Sequence, residues 1–159
     1  MKVEVTFANP EVASVWPYIV ESIDRLVATV VDFGADGMHW RPSHPDANSV
    51  AVLAVHTMGN LEESVLFCLC GIPVGRVRAS EFDVEHMSVI EIQQMWTALR
   101  PRIETALSTL TIHDLSAPNP GNRDGMTVCR DLLNNVNRHA AEHSGQAELT
   151  RDLFKSRTS

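Results

Sequence analysis

The chain has 159 residues, 44% of them apolar, with eight glycines and eight prolines, proportions that fit one compact domain around one core and not a string of modules. A formal charge of −7, from 13 Lys and Arg against 20 Asp and Glu, repels phosphate backbones and anionic bilayers, so neither nucleic acid nor a membrane surface is expected as a partner. No run reaches the roughly 18 apolar residues of a membrane span, and the opening Met1-Lys2-Val3-Glu4-Val5-Thr6-Phe7 carries a carboxylate where a signal peptide needs an apolar block, so a cytoplasmic location is expected.

The first amphipathic segment, about Pro10 to Asp32, places Val12, Val15, Trp16, Ile19, Ile23, Leu26, Val27 and Val30 at three- and four-residue spacing, with Glu11, Ser14, Glu21, Ser22 and Arg25 elsewhere. Asn9 before Pro10 supplies a cap and a first-turn proline, and Gly34 and Gly37 end the helix. Trp40-Arg41-Pro42-Ser43-His44-Pro45-Asp46 then reads as an irregular crossing. Asn48 or Ser49 can cap a second helix, whose stripe is Val50, Leu53, Ala54, Thr57, Leu61, Val65 and Cys68, until Gly71-Ile72-Pro73 stops it. Cys68, Cys70 and Cys129 fit neither a redox motif nor a zinc ribbon and read as reduced, mostly buried thiols.

The stretch from Val74 to Met87, with Arg76, Arg78, Glu81, Asp83 and Glu85, reads as a surface loop. From about Ser88 a third stripe runs through Ile92, Met95, Trp96, Leu99, Ile103 and Ala106, and Pro101 is expected to bend it. After Ala117-Pro118-Asn119-Pro120-Gly121-Asn122, a last and longest helix is expected from about Gly125 to Phe154, carrying Met126, Leu132, Leu133, Val136, Ala140, Ala147, Leu153 and Phe154. Four helical patterns without strand alternation argue for an all-α bundle.

Along the last helix the inward seam is expected to pass through Val136, His139, His143, Ala147 or Gln146, and Thr150, which puts two histidines in the core. An imidazole buried without a partner costs about 1–3 kcal/mol, so the pair calls for a common explanation, and a shared metal is one. Residues at i and i+4 sit about 6 Å apart on one face and can converge on one ion. His56, beside the stripe residues Leu53 and Thr57, offers a third ligand across the 8–10 Å that separate packed helix axes. His39, His44, His86 and His113 fall in loop-like or terminal stretches and read as solvated.

The run Asn137-Arg138-His139-Ala140-Ala141-Glu142-His143-Ser144-Gly145-Gln146-Ala147-Glu148-Leu149-Thr150-Arg151 resembles the closing helix of the DinB-like superfamily. Trp40-Arg41-Pro42, followed by Asn48-Ser49-Val50 and His56, resembles that family's crossing into its second helix. The resemblance implies one domain over residues 1–159, an unusually connected up-and-down four-helix bundle of the DinB/YfiT-like type, commonly a homodimer. It further implies a divalent metal, zinc or nickel foremost, on His56, His139 and His143. Members with assigned activities include thiol-dependent isomerases and S-transferases that use mycothiol, bacillithiol or glutathione, and many others have no known reaction. The resemblance thus implies a low-molecular-weight thiol cosubstrate and a small-molecule substrate. Gly59-Asn60 departs from the bulky or acidic residues often found after the first histidine, which leaves that wall of the site undefined.

Three neutral imidazoles would leave a bound ion its full charge and an open position, the arrangement of catalytic zinc sites. Thiol transfer, isomerisation and hydrolysis are all open to such a site, and so is a non-catalytic role in which the ion only pins helices together. Among residues that could support the chemistry, Glu63 is seven residues after His56 on the same helical face and is preferred over Glu142 for orienting that ring or taking a proton. Gln146 is phased to hydrogen-bond near the site or to be a core-edge amide. Arg151 can hold a substrate carboxylate or pair at the helix end, and Trp40 can line the pocket or pack, while Trp16 and Trp96 read as core.

Overall fold

Asn9 starts the first helix as its sequence suggests, its Oδ1 accepting from the amides of Glu11 at 2.9 Å and Val12 at 3.3 Å. The computed structural model describes residues 5–119 and 125–157; the readings made on Met1 to Glu4 and on Pro120-Gly121-Asn122 lie outside them. Helix α1 spans Pro10–Gly37, α2 Val50–Leu61, α3 Val89–Ser108 and α4 Cys129–Ser156. A π-helical segment, Glu62–Leu69, continues α2, and 3₁₀ turns at Arg78–Phe82 and Asp114–Ser116 interrupt the long connections. The described residues form no strand, only an isolated bridge between Pro118 and Val128.

Local chemistry accounts for most boundaries. Gly34, at φ 66°, breaks α1 before its last turn, a conformation that side chains with a Cβ rarely take. Ser49 caps α2 through the Val52 amide at 3.3 Å. Ser88 and Glu91 form a reciprocal capping box at α3. Pro101 does not break α3: the carbonyl it deprives of a partner belongs to exposed Thr97, where water can serve it. Helix α4 begins at Cys129, later than expected, and at 28 residues it equals α1 instead of exceeding it.

Helices α1 and α2 touch along the middle of the bundle, α4 packs across both, and α3 packs against the pair without touching α4. The expected stripes make the core: Ile19, Ile23, Leu26, Leu61, Ile92, Ile103 and Leu132 are all but inaccessible. Each such side chain contributes about 1.5–3 kcal/mol by leaving water. Trp16 and Trp96 pack together at 6.5 Å, and each indole N–H finds a carboxylate, Glu104 at 3.2 Å and Asp24 at 2.6 Å.

Some expectations give way. Ser22 is buried and Leu153 exposed. The stretch Val74–Met87 is not all surface, because it sends Arg76, Glu81 and Val84 inward. His39 is not free in solvent: its Nε2 donates to the Met87 carbonyl at 3.0 Å.

Candidate metal centre

Small residues on α4 set up the centre. Its buried seam runs through Val136, Ala140, Ser144 and Ala147, so His139 and His143 flank the seam instead of filling it. Ala140 and Ser144 occupy the core positions, and one residue's 100° rotation turns the two rings toward α2. There they meet His56. The Nε2 atoms of His139 and His56 are 3.3 Å apart, and those of His143 and His139 are 3.1 Å apart.

Hydrogen bonding at the far side of the rings decides what those short contacts are. His56 Nδ1 lies 2.7 Å from Glu81 Oε2, and a carboxylate only accepts, so Nδ1 holds the proton and Nε2 presents a lone pair. His143 Nδ1 likewise donates to Gln146 Oε1 at 2.7 Å, leaving its Nε2 bare. His139 can donate its Nε2 proton to one neighbour at most. At least one contact is therefore lone pair against lone pair, which a shared cation relieves. Nitrogens around a tetrahedral ion at 2.0–2.1 Å lie about 3.3–3.4 Å from each other, close to the 3.3 and 3.1 Å found between these rings. All three rings offer a ligand nitrogen within 4.8 Å of the others, so the donor set fits a divalent ion.

The surroundings disfavour the charged forms of His139 and His56. Burial, followed by the nearness of His143 and His56, pushes His139 down to about 3. Burial lowers His56 as well, against the pull of Glu81. The carboxylate on His56 is thus Glu81 and not Glu63, which the sequence reading preferred. The seven-residue spacing shares a face only on an unbroken α-helix, and the chain widens into its π segment at Glu62. Glu63 instead accepts from Arg76 Nη1 at 2.6 Å, while Arg76 grips both oxygens of Glu81, at 2.5 and 2.9 Å. Burial works to raise the Glu81 carboxyl, but the bonds from Arg76 and His56 outweigh it and hold it below the usual range.

Two residues expected at the substrate pocket pair with the end of α4 in this structure. Arg151 is eight residues, about 12 Å of helix, beyond His143, and it takes the helix-end alternative, pairing with Asp152 at 2.9 Å. Trp40 packs on Phe154, 5.4 Å between centroids, under the Arg157 guanidinium. Phe82 is the aromatic residue at the centre, its ring 5.3 Å from that of His56. Beside it a cleft of about 400 Å³ is lined by His39, Arg41, Asn48, Ser49, Val52 and Phe82. Arg76, Glu81 and Phe82 escaped sequence reasoning because only charge and loop composition marked them, and their partners are far along the chain.

An all-helical chain with this histidine trio is matched by the model of the DinB superfamily over residues 18–147. The chain belongs to the DinB superfamily. No curated protein and no solved structure matches it. The DinB match takes in His56, Arg76, Glu81, His139, His143 and Gln146 and stops short of Arg151. Among the described residues of this DinB chain, no helix is long and apolar enough to cross a membrane.

Proposed function

We propose that the protein is a metal-dependent enzyme that uses His56, His139 and His143 as ligands and transfers a low-molecular-weight thiol to, or with its help isomerises, a small-molecule electrophile. The convergence of three Nε2 atoms at 3.1 and 3.3 Å, with two of the rings fixed as Nδ1–H donors, carries the reading. A divalent cation at that point, zinc or nickel foremost, lowers the pKa of a thiol or water and supplies positive charge opposite a developing anion.

The chain's own residues do the rest. Glu81 and Gln146 orient two of the rings, and neutral imidazoles leave the charge of the ion uncancelled. The cleft beside Phe82 is of small-molecule size, and Arg41 within it can take a substrate carboxylate bidentately. Two of the protein's three cysteines are poor candidates for the nucleophile. Burial, then Asp114 and Cys129, push the Cys70 thiol up to about 11, and burial raises Cys129. The proposed thiol is an external one, as the family resemblance suggests. That resemblance also carries the homodimer, and the cytoplasmic location expected from the sequence completes the proposal.

Metal analysis of protein purified without chelator or nickel-affinity tag, followed by turnover with a thiol panel, tests the reading. Close to one equivalent per chain, abolished in His56→Ala, and metal-dependent consumption of a thiol are expected. Full metal loading with hydrolysis in place of thiol transfer would name the alternative reaction. Metal that only raises thermal stability would reduce the site to a helix pin, and an unloaded protein would remove the site altogether.

A further inference from the structure

The departure at Gly59-Asn60 and the buried charges of the Arg78–Phe82 turn meet at one place. Gly59 lies on α2 three residues after His56, and a Cβ there would collide with the Glu81 carboxylate, coming within 2.9 Å of its carboxyl carbon and 3.4 Å of Arg76 Nε. Glycine in a helix interior is unfavourable, so its presence at this point has a use: it opens the side of α2 to a carboxylate. Through that gap the 3₁₀ turn delivers Glu81, with a side chain 6% exposed, onto His56 Nδ1. Arg76, 4% exposed, fixes the carboxylate from behind with two bonds and is itself balanced by Glu63.

From this arrangement we infer that Glu81, admitted by Gly59 and clamped by Arg76, is the positioning residue of the centre. It holds His56 as the Nδ1–H tautomer with its Nε2 lone pair aimed at the ion, and so sets how tightly metal is held. The inference rests on the metal-site reading above and assigns the wall that the sequence left undefined. The support of the three rings is unequal: His56 has a buried, charged partner, whereas His143 has an exposed amide in Gln146. A charged acceptor is the stronger of the two.

Three variants separate this role from simple packing. Glu81→Leu removes the acceptor and leaves Arg76 paired with Glu63, so no lone buried charge results. Gly59→Ala changes no charge and installs the better helix former, yet displaces Glu81. Glu81→Gln keeps an acceptor: Oε2 receives two donors, Arg76 Nη2 and His56 Nδ1, so the amide oxygen settles there and the ring keeps its tautomer. The measurements are the His56 tautomer by long-range ¹H–¹⁵N correlation on metal-free protein and Zn²⁺ affinity by competition with a chromophoric chelator.

Wild type and Glu81→Gln should show Nδ1–H at His56. Glu81→Leu and Gly59→Ala should shift it toward Nε2–H and lose about 10–100-fold in Zn²⁺ affinity, with a smaller loss for Gln146→Ala. If Glu81→Leu does not fold, Gly59→Ala and Glu81→Gln decide alone. Folded Gly59→Ala that keeps the tautomer and binds Zn²⁺ like the wild type overturns the inference. So does a wild-type His56 protonated at Nε2, and that result is read without any metal. A wild type that loads Zn²⁺ but turns over no thiol overturns only the catalytic reading, because neither measurement involves substrate.

Discussion

Acidifying the metal-free protein should destabilise it through His139 in particular. An unfolded histidine takes its proton near 6.5, whereas the folded ring, depressed by burial and by its two imidazole neighbours, takes it near 3. The folded pKa is the lower one, so the contribution is neutral above pH about 6.5. As pH falls from there to about 3 the unfolded state binds the extra proton and folding stability drains away. One proton corresponds to about 1.4 kcal/mol per pH unit, which from pH 7 to about pH 4.5 integrates to about 2–3 kcal/mol. Burial lowers His56 too, so its loss has the same sign. The assay is a series of urea melts in chelator at several pH values, comparing wild type with His139→Gln. Carboxylates common to both chains cancel in the difference. The wild type should lose stability more steeply than the variant by close to one proton in this window. Equal slopes would show that the ring charges freely in the fold, and the crowded, desolvated trio would be the wrong description.

Other outcomes follow from separate parts of the structure. Asn9→Ala removes a helix cap and the Nδ2 bond to the Thr111 carbonyl at 2.7 Å, so it should cost about 1–2 kcal/mol in chemical denaturation. Leu26→Ala, at a fully buried position, should cost about 2–5 kcal/mol by the same measurement, with metal stoichiometry retained if the variant folds. Arg151→Ala should leave Zn²⁺ affinity unchanged and alter stability by less than about 1 kcal/mol, since its partners are helix-end carboxylates; an affinity change would return it to the site. Sedimentation velocity at two concentrations should show a homodimer, and a single monomeric species at both would remove that part of the proposal.

The helices were legible because their signals are local. Val12 through Val30, Val50 through Cys68 and Ile92 through Ala106 repeat at helical spacing, and nearly all of these residues are buried. Asn9, Ser49 and Ser88 announce their helix starts within four residues of sequence. The histidine trio was legible as a set through spacing on one helix and family resemblance. Its phase was misread by one position, since Ala140 and Ser144 compete for the seam and, being small, win it. Glu81 was not legible at all. What makes it part of the centre is a bond across 25 residues, an arginine beneath it and a missing methyl group at Gly59, none of which has a periodic signature. Glu63 was chosen by an α-helical count that the π segment invalidates.

If the proposed ion binds, the unequal footing of His143 and His56 gives its exchange a direction. His143 leans on an exposed amide, whereas His56 is backed by an inaccessible ion pair. Under the metal reading, the less firmly backed imidazole of His143 would release a departing ion before that of His56. Changes at Gln146 and at Glu81 would then act on different ligands of the same ion.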